Sequence, residues 1–247
     1  MKVWIAIWNI LKKDIQNYYL KPPNISWGII FPLSWTLMQI IRSSGGMNLY
    51  DIRELLPGLM AMSVLFGTTS MLAVTITFER KGRSFDRLLL APIPLSAMVA
   101  AKLSGAILFG ILNAFVPVLF SAFFVSLSGI SWGAVLASVF LIAVTSALLG
   151  LTIAVSAKEV FEAQTLSNFF RFPMLFLCGL FLPISRLPVF LRPLSYILPL
   201  TYGTDLLGRA ILGTGMLPSA FCILILLAFA VVLFAFCQNS IRRKWIL

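Results

Sequence analysis

The sequence predicts an all-α, polytopic membrane protein with six transmembrane helices, an N-terminal interfacial helix and a proline-rich re-entrant segment after the fifth span. Three observations carry that expectation. Apolar residues make up 60% of the 247 and charged ones only 11%, whereas a soluble domain carries about a quarter charged residues. Charge-free apolar runs long enough to cross a bilayer recur along the chain. The basic residues fall in short clusters between those runs, as the positive-inside rule produces. One transmembrane domain, 1–247, is expected.

The elements follow in order. From Trp4 to Tyr19, residues Trp4, Ile7, Trp8, Leu11, Ile15, Tyr18 and Tyr19 fall within an arc of roughly 120°, opposite Asn9, Lys13 and Gln16, with Ile5 and Ile10 outside the arc. Tryptophan, tyrosine and lysine favour the membrane surface, so 1–22 is expected to lie along the cytoplasmic face and end at Pro22 and Pro23. It reads both as an anchor and as a contact surface for a cytoplasmic partner. Spans are expected at Ile25 to Ile41, Leu55 to Phe78, Leu103 to Ser126, Trp132 to Ser156 and Met216 to Phe236. The fifth in order is harder, because Phe172 to Ile184 is too short alone; it must start near Leu166 and carry Arg171 close to its inner end. Arg171 in that place meets an anionic head group or snorkels to water, and snorkelling is the favoured reading.

Six crossings sort the 19 basic residues cleanly. Inside fall Lys2, Lys12, Lys13, Lys21, Arg80, Lys81, Arg83, Arg87, Lys102, Lys158, Arg171, Arg242, Arg243 and Lys244; outside fall Arg42, Arg53, Arg186, Arg192 and Arg209. Both termini are therefore expected in the cytoplasm, in a plasma-membrane protein. The net charge of +11 reports orientation and not nucleic-acid binding, which would need an exposed basic face with stacking aromatics. Cys178, Cys222 and Cys237 all lie in apolar stretches and read as small buried hydrophobes. No cleavable signal is apparent, so the chain is expected to keep its N-terminus.

Between Pro183 and Pro199, four prolines interrupt an apolar stretch. It is too broken for a span and too apolar for a plain loop, so 183–200 is expected to be a re-entrant or surface helix. Its prolines, Pro183, Pro188 and Pro199 among them, mark an external gate or a structural plug.

Chemistry is scarce. There is no phosphate loop, no histidine, no paired-cysteine metal site and no nucleophile elbow, so the chain itself is not expected to be an enzyme. Span cores lack the acids or lysines of ion-coupled carriers. Their polar groups, Thr68, Thr69, Ser70, Thr75, Asn113, Thr145 and Thr152, are read mainly as helix contacts, like the small pairs Ala106/Gly110 and Ser146/Gly150.

The densest polar cluster is Ile76 to Ser96, which holds nearly all of the expected coupling connection, 79–97. Charges alternating with Phe85, Leu88 and Leu89 before Pro92 and Pro94 predict a short helix stopped by proline, a compact knob suited to a groove in a soluble partner. The motif Glu79-x-x-Gly82-x-x-x-Asp86-x-Leu88-Leu89-x-x-Pro92 resembles the membrane subunit of type-2 ATP-binding-cassette exporters. After the fifth span, Pro173, Gly179, Pro183, Leu187-Pro188, Pro199-Leu200-Thr201 and Arg209 are similar to that family's proline-rich external segment, and together the matches cover nearly the whole chain.

The resemblance implies a half-transporter: two such subunits pair as a homodimer in membrane lipid, and each receives a separate cytoplasmic ATPase that binds ATP and Mg. No cofactor is implied for this chain. By resemblance, Glu79, Arg80, Gly82, Arg83, Phe85, Asp86, Leu88, Leu89 and Pro92 form the ATPase-coupling interface. Asp86 stands where the family often has Glu, with Arg80, Lys81, Arg83 and Arg87 unusually dense around it, which would tune the match to one partner. Lys158, Glu159 and Glu162 are a second contact candidate, with a solvated turn favoured. Phe169, Phe170, Phe172 and Met174 line the substrate path if they are not simply packing. The alternative function is a membrane scaffold that binds an ATPase without moving cargo. A lipid-metabolising enzyme, the third reading, has little beyond Asp205 and Arg209 to work with.

Overall fold

Backbone groups in hydrocarbon need internal partners, and the described residues meet that requirement with helices alone. The computed structural model describes residues 2–19, 22–44, 50–90 and 94–243. Pro92, Lys21 and Lys244 lie outside them.

Helix α1 is Lys2–Asp14, continued by a π-helical turn, Ile15–Tyr19. A short α2, Pro22–Ile25, passes through a second π turn, Ser26–Ile30, into α3, Phe31–Ser44. Then come α4 (Tyr50–Lys81), α5 (Ser84–Leu89), α6 (Leu95–Ser121), α7 (Trp132–Ser156) and α8 (Val160–Leu177). A 3-10 turn (Ile184–Arg186), α9 (Arg192–Ile197), α10 (Pro199–Leu212) and α11 (Ser219–Ile241) complete the chain. Among the described residues α4, α6, α7 and α11 are long and apolar enough to cross a membrane, and Gly28–Ile41 is a shorter apolar helix.

The expected run Trp132 to Ser156 matches α7 residue for residue. Other boundaries move, each for a local reason. Helix α6 starts at Leu95, straight after the extended Pro94, so Lys102, expected just outside the third span, sits in its second turn. Helix α8 starts at Val160 and stops at Leu177, where Cys178 and the left-handed Gly179 turn the chain away. Arg171 is therefore in the body of the helix, and its side chain is fully buried. The snorkelling expected of it is overturned, because its face of α8, shared with Ser167 and Met174, packs inward onto α4.

Every residue from Leu56 to Thr77 is buried, so α4 is the axis of the bundle. Helices α3, α6, α7, α8 and α10 surround it, and α11 packs outside on α7 and α10. Close approach needs small residues. A Cβ on Gly58 would lie 1.9 Å from the Leu180 carbonyl oxygen, and one on Gly110 would lie 2.2 Å from Thr68 Cγ2. Thr68, Thr145 and Thr152 return their hydroxyls to the carbonyls of Val64, Leu141 and Leu148, which satisfies them within their own helices. The three cysteines are buried.

The bundle has two distinguishable ends. At the basic end, Phe85 of α5, Met98 of α6, Val155 of α7 and Ile241 of α11 share one apolar cluster. At the opposite end, Arg53 of α4 donates to the carbonyls of Ser128 and Ile211, and the Ser131 amide donates to the Ala210 carbonyl. The proline-rich stretch forms two short helical pieces and then α10, whose Leu200, Thr204, Leu207 and Ile211 are buried between α4 and α7.

Candidate coupling site at the basic end

The last turn of α4 delivers Glu79 to the point where α1 and the second turn of α6 meet. Its carboxylate is fully buried. Lys102 Nζ donates to Glu79 Oε1 at 2.7 Å and to Asp14 Oδ1 and Oδ2 at 2.8 and 2.7 Å. Lys13 Nζ donates to Glu79 Oε1 at 2.5 Å. Glu79 Oε2 lies 2.6 Å from Lys102 Nζ, within ion-pair distance but outside hydrogen-bond geometry. Two ammonium groups and two carboxylates thus sum to zero charge, with Lys102, Asp14 and Glu79 buried and Lys13 half-buried at the edge, the pairing under which buried ions are tolerated. Burial pushes the Asp14 carboxyl above its ordinary value while the Lys102 charge pulls it back.

The cluster ties three elements: α1 through Lys13 and Asp14, α4 through Glu79, and α6 through Lys102. It also decides which side of α1 faces the protein. Ile10 and Asp14 are buried, whereas Trp8 and Ile15, on the expected apolar arc, are exposed. The arc is left for the surroundings because the ion pair sets the inward side.

Beyond Glu79 the chain turns sharply. The Gly82 amide donates to the Phe78 carbonyl and the Arg83 amide to that of Arg80. Arg83, and not Gly82, takes the left-handed conformation, at φ 52°, uncommon for a residue with a Cβ. The expected short helix is α5. Phe85 points into the core at 2% exposed, Leu88 is half-buried, and Lys81, Gly82 and Arg83 are exposed. Asp86 and Leu89 stand on the same helix. Arg80 Nη1 donates to the carbonyls of Ala154 and Ala157, so it fastens α4 to the C-terminus of α7, where a cation also suits the helix dipole. Of the expected interface, Glu79 and Phe85 therefore face inward and hold the connection in place, while Gly82 and Arg83 face out.

Beside the connection, an open depression of about 530 Å³ is lined by Pro22, Ser26, Lys81, Glu159, Val160, Phe161 and Gln164. A polar one adjoins it, lined by Arg80, Lys81, Lys158 and Glu159. The Glu162 carboxylate accepts from the Lys158 amide and so caps the start of α8. The 157–160 connection is thereby brought beside the 79–90 one.

The expected path residues are not brought together. Phe169 and Phe170 touch edge to face and are exposed, Phe172 leans toward Phe31 and Phe66, and Met174 belongs to the core. Pro183 precedes the 3-10 turn, Pro199 opens α10 and Pro188 sits in the turn before α9, positions that suit a residue lacking an amide donor. Asp205 accepts from the amides of Met216 and Leu217, and Arg209 donates to the Leu217 carbonyl. Both brace the loop before α11. No metal-binding cluster occurs among the described residues.

Sequence reasoning singled out Glu79 but missed its partners Lys13 and Lys102, and Asp14, which shares Lys102 with it. The available signal was a lone acid in a basic first helix and a lone lysine within an apolar helix.

A family model described as ABC-2 type transporter matches residues 5–212. The chain belongs to the ABC-2 type transporter family. Proteins named inner membrane transport permease YadH from Escherichia coli K12, Escherichia coli O157:H7 and Shigella flexneri are each 27% identical over 97% of this chain and 96% of their own length. For an ABC-2 membrane protein the match spans α1 to α10 and so includes the whole ion cluster and α5.

Proposed function

We propose that the chain is the membrane subunit of an ATP-driven exporter, working as a homodimer with a separate cytoplasmic ATPase on each copy. The observation that carries this reading is the full-length similarity to proteins named as inner membrane transport permeases. Six crossings are proposed: the α2–α3 run, α4, α6, α7, α8 and α11 pass alternately between the two ends, with 178–218 folded back at the end opposite α5. The basic end faces the cytoplasm by the positive-inside rule. ATPase docking on α5 and on the adjoining depression would push on the last turn of α4. The buried cluster makes α1, α4 and α6 move with that turn, because separating any one of them leaves an unpaired charge in the interior. Bistable helix packing then transmits the push as a rearrangement around α4.

Co-purification of the tagged chain in mild detergent, with mass spectrometry and an ATPase assay, tests the proposal. A phosphate-loop ATPase in equal amount, stimulated by cargo, is the expected result. The same ATPase unaffected by any cargo would favour a scaffold. The chain alone, without ATP hydrolysis, would end the ATP-driven reading.

A further inference from the structure

Arg171 is fully buried, and none of its guanidinium nitrogens has a hydrogen-bond partner among the described residues. Its guanidinium carbon stands 5.1 Å from the centre of the Phe66 ring. Phe66 in turn packs with Phe31 at 4.7 Å and Phe172 at 6.2 Å between ring centres. A ring face returns only part of what a guanidinium loses on leaving water. An arginine so placed lacks an anion.

This chain cannot supply one. Of its 8 acidic residues, Asp14 and Glu79 are held by Lys102, Asp205 by the Met216 and Leu217 amides, and Glu162 by the Lys158 amide. Asp51 and Glu54 lie in the first turns of α4, Asp86 on α5, and Glu159 just before α8. Phe66 marks the level of Arg171 on α4. At about 1.5 Å per residue, Glu54 and Glu79 are about 18 and about 20 Å from that level, and Glu162 is about 13 Å along α8 from Arg171. A symmetric second copy would carry its acids at the same levels. Lipid head groups sit at the surfaces; Arg171 is about 16 Å from the start of α8 and about 9 Å from its end, where α9 and α10 pack against α8. What remains is a molecule that passes through the bundle.

We propose that Arg171 recognises an anionic amphiphile: an oxyanion head (carboxylate, sulfate or phosphate ester) on an apolar body. The inference rests on the permease reading. The planar guanidinium fork matches an oxyanion two atoms at a time, and Phe31, Phe66 and Phe172 offer the apolar body a wall. In this structure the site is closed, and α8 must part from α4 to admit the head.

Photo-cross-linking on the purified full chain in phosphatidylcholine nanodiscs tests this, run on the chain alone and with its co-purified ATPase and ATP so that the opened site is also sampled. The probe is a dodecyl phosphate with a diazirine near its head, compared with the matching neutral alcohol. The phosphate is expected to label the peptides containing Phe66 and Phe172 about tenfold more than the alcohol does, the worth of one charged hydrogen-bonded pair. Dodecyl sulfate should compete and dodecyltrimethylammonium should not. Labelling of the outward-facing α11 serves as the common reference. Arg171→Met should bring the phosphate down to the alcohol's level, and Arg171→Lys, which keeps the charge without the fork, should retain only part of the preference. Equal labelling by the two probes in the unaltered chain would overturn the proposal whatever the variants do, as would an undiminished preference in Arg171→Met. Charge-selective labelling by a chain that never supports ATP-driven efflux would refute the permease reading instead.

Discussion

Lys102 stands in an apolar helix with two carboxylates on its ammonium, so its removal leaves Asp14 and Glu79 buried together without their shared cation. Lys102→Met should cost about 3–5 kcal/mol, read as a lowered Tm of the detergent-solubilised chain. The loss should depend on pH. Burial already holds the Asp14 carboxyl above its ordinary 3.8, and Lys102 is the chief influence lowering it. Without Lys102 the folded value rises further above the unfolded one. The protonated form is then the favoured one, so stability is fullest below the unfolded value and is lost as pH climbs through the folded value. The Tm gap between variant and parent should be narrower at about pH 4.5 than at about pH 7.5; equal gaps would mean that the carboxylates are not left bare. Gly58 makes a second residue-scale case: Gly58→Ala drives a methyl group into the Leu180 carbonyl and should cost about 1–3 kcal/mol in the same assay. The motif made Glu79 legible, but its direction was not. A helix buried on every side has no polar face to show which way a residue points, and Asp14 is 88 positions from Lys102.

At the scale of elements, α5 owes its place to Phe85, whose ring lies in the cluster shared with Met98 and Ile241. Phe85→Ala should cost about 3–5 kcal/mol and loosen α5. Arg83→Glu, on an exposed side chain, should leave Tm unchanged and weaken ATPase association. The pair separates holding the connection from touching the partner; an Arg83→Glu chain that binds its ATPase normally would remove Arg83 from the interface. Charge reversal at Glu79 cannot serve this purpose, since it strikes the buried cluster first. The short helix was readable in the alternation of charge and apolar residues after Glu79; the expected stop at Pro92 lies outside the described residues. The inward face of α1 was not readable, because the apolar arc describes what a lone helix would bury, and here an ion pair overrides it.

For the whole molecule, composition and run length were enough to give an all-helical membrane bundle, because hydrocarbon leaves the backbone few options. What they could not give was depth. The third span's boundary was drawn at a charge, yet Lys102 lies inside α6 through pairing, and Arg171, expected close to an inner end, lies in the body of α8 with an aromatic ring beneath it. The 183–200 segment was legible as broken helix from its prolines, but α10 and its burial between α4 and α7 depend on contacts with no local pattern. The central claim is that an ATPase engages the basic end of this bundle and not the other. Single cysteines at Arg83 and Lys158, and at Phe190 and Gly129 of the opposite end, can be labelled with a maleimide in nanodiscs with and without the co-purified ATPase. Protection at Arg83 and Lys158 with unchanged labelling at Phe190 and Gly129 is the predicted result; protection at the opposite end, or at none of the four with the ATPase bound, would contradict it.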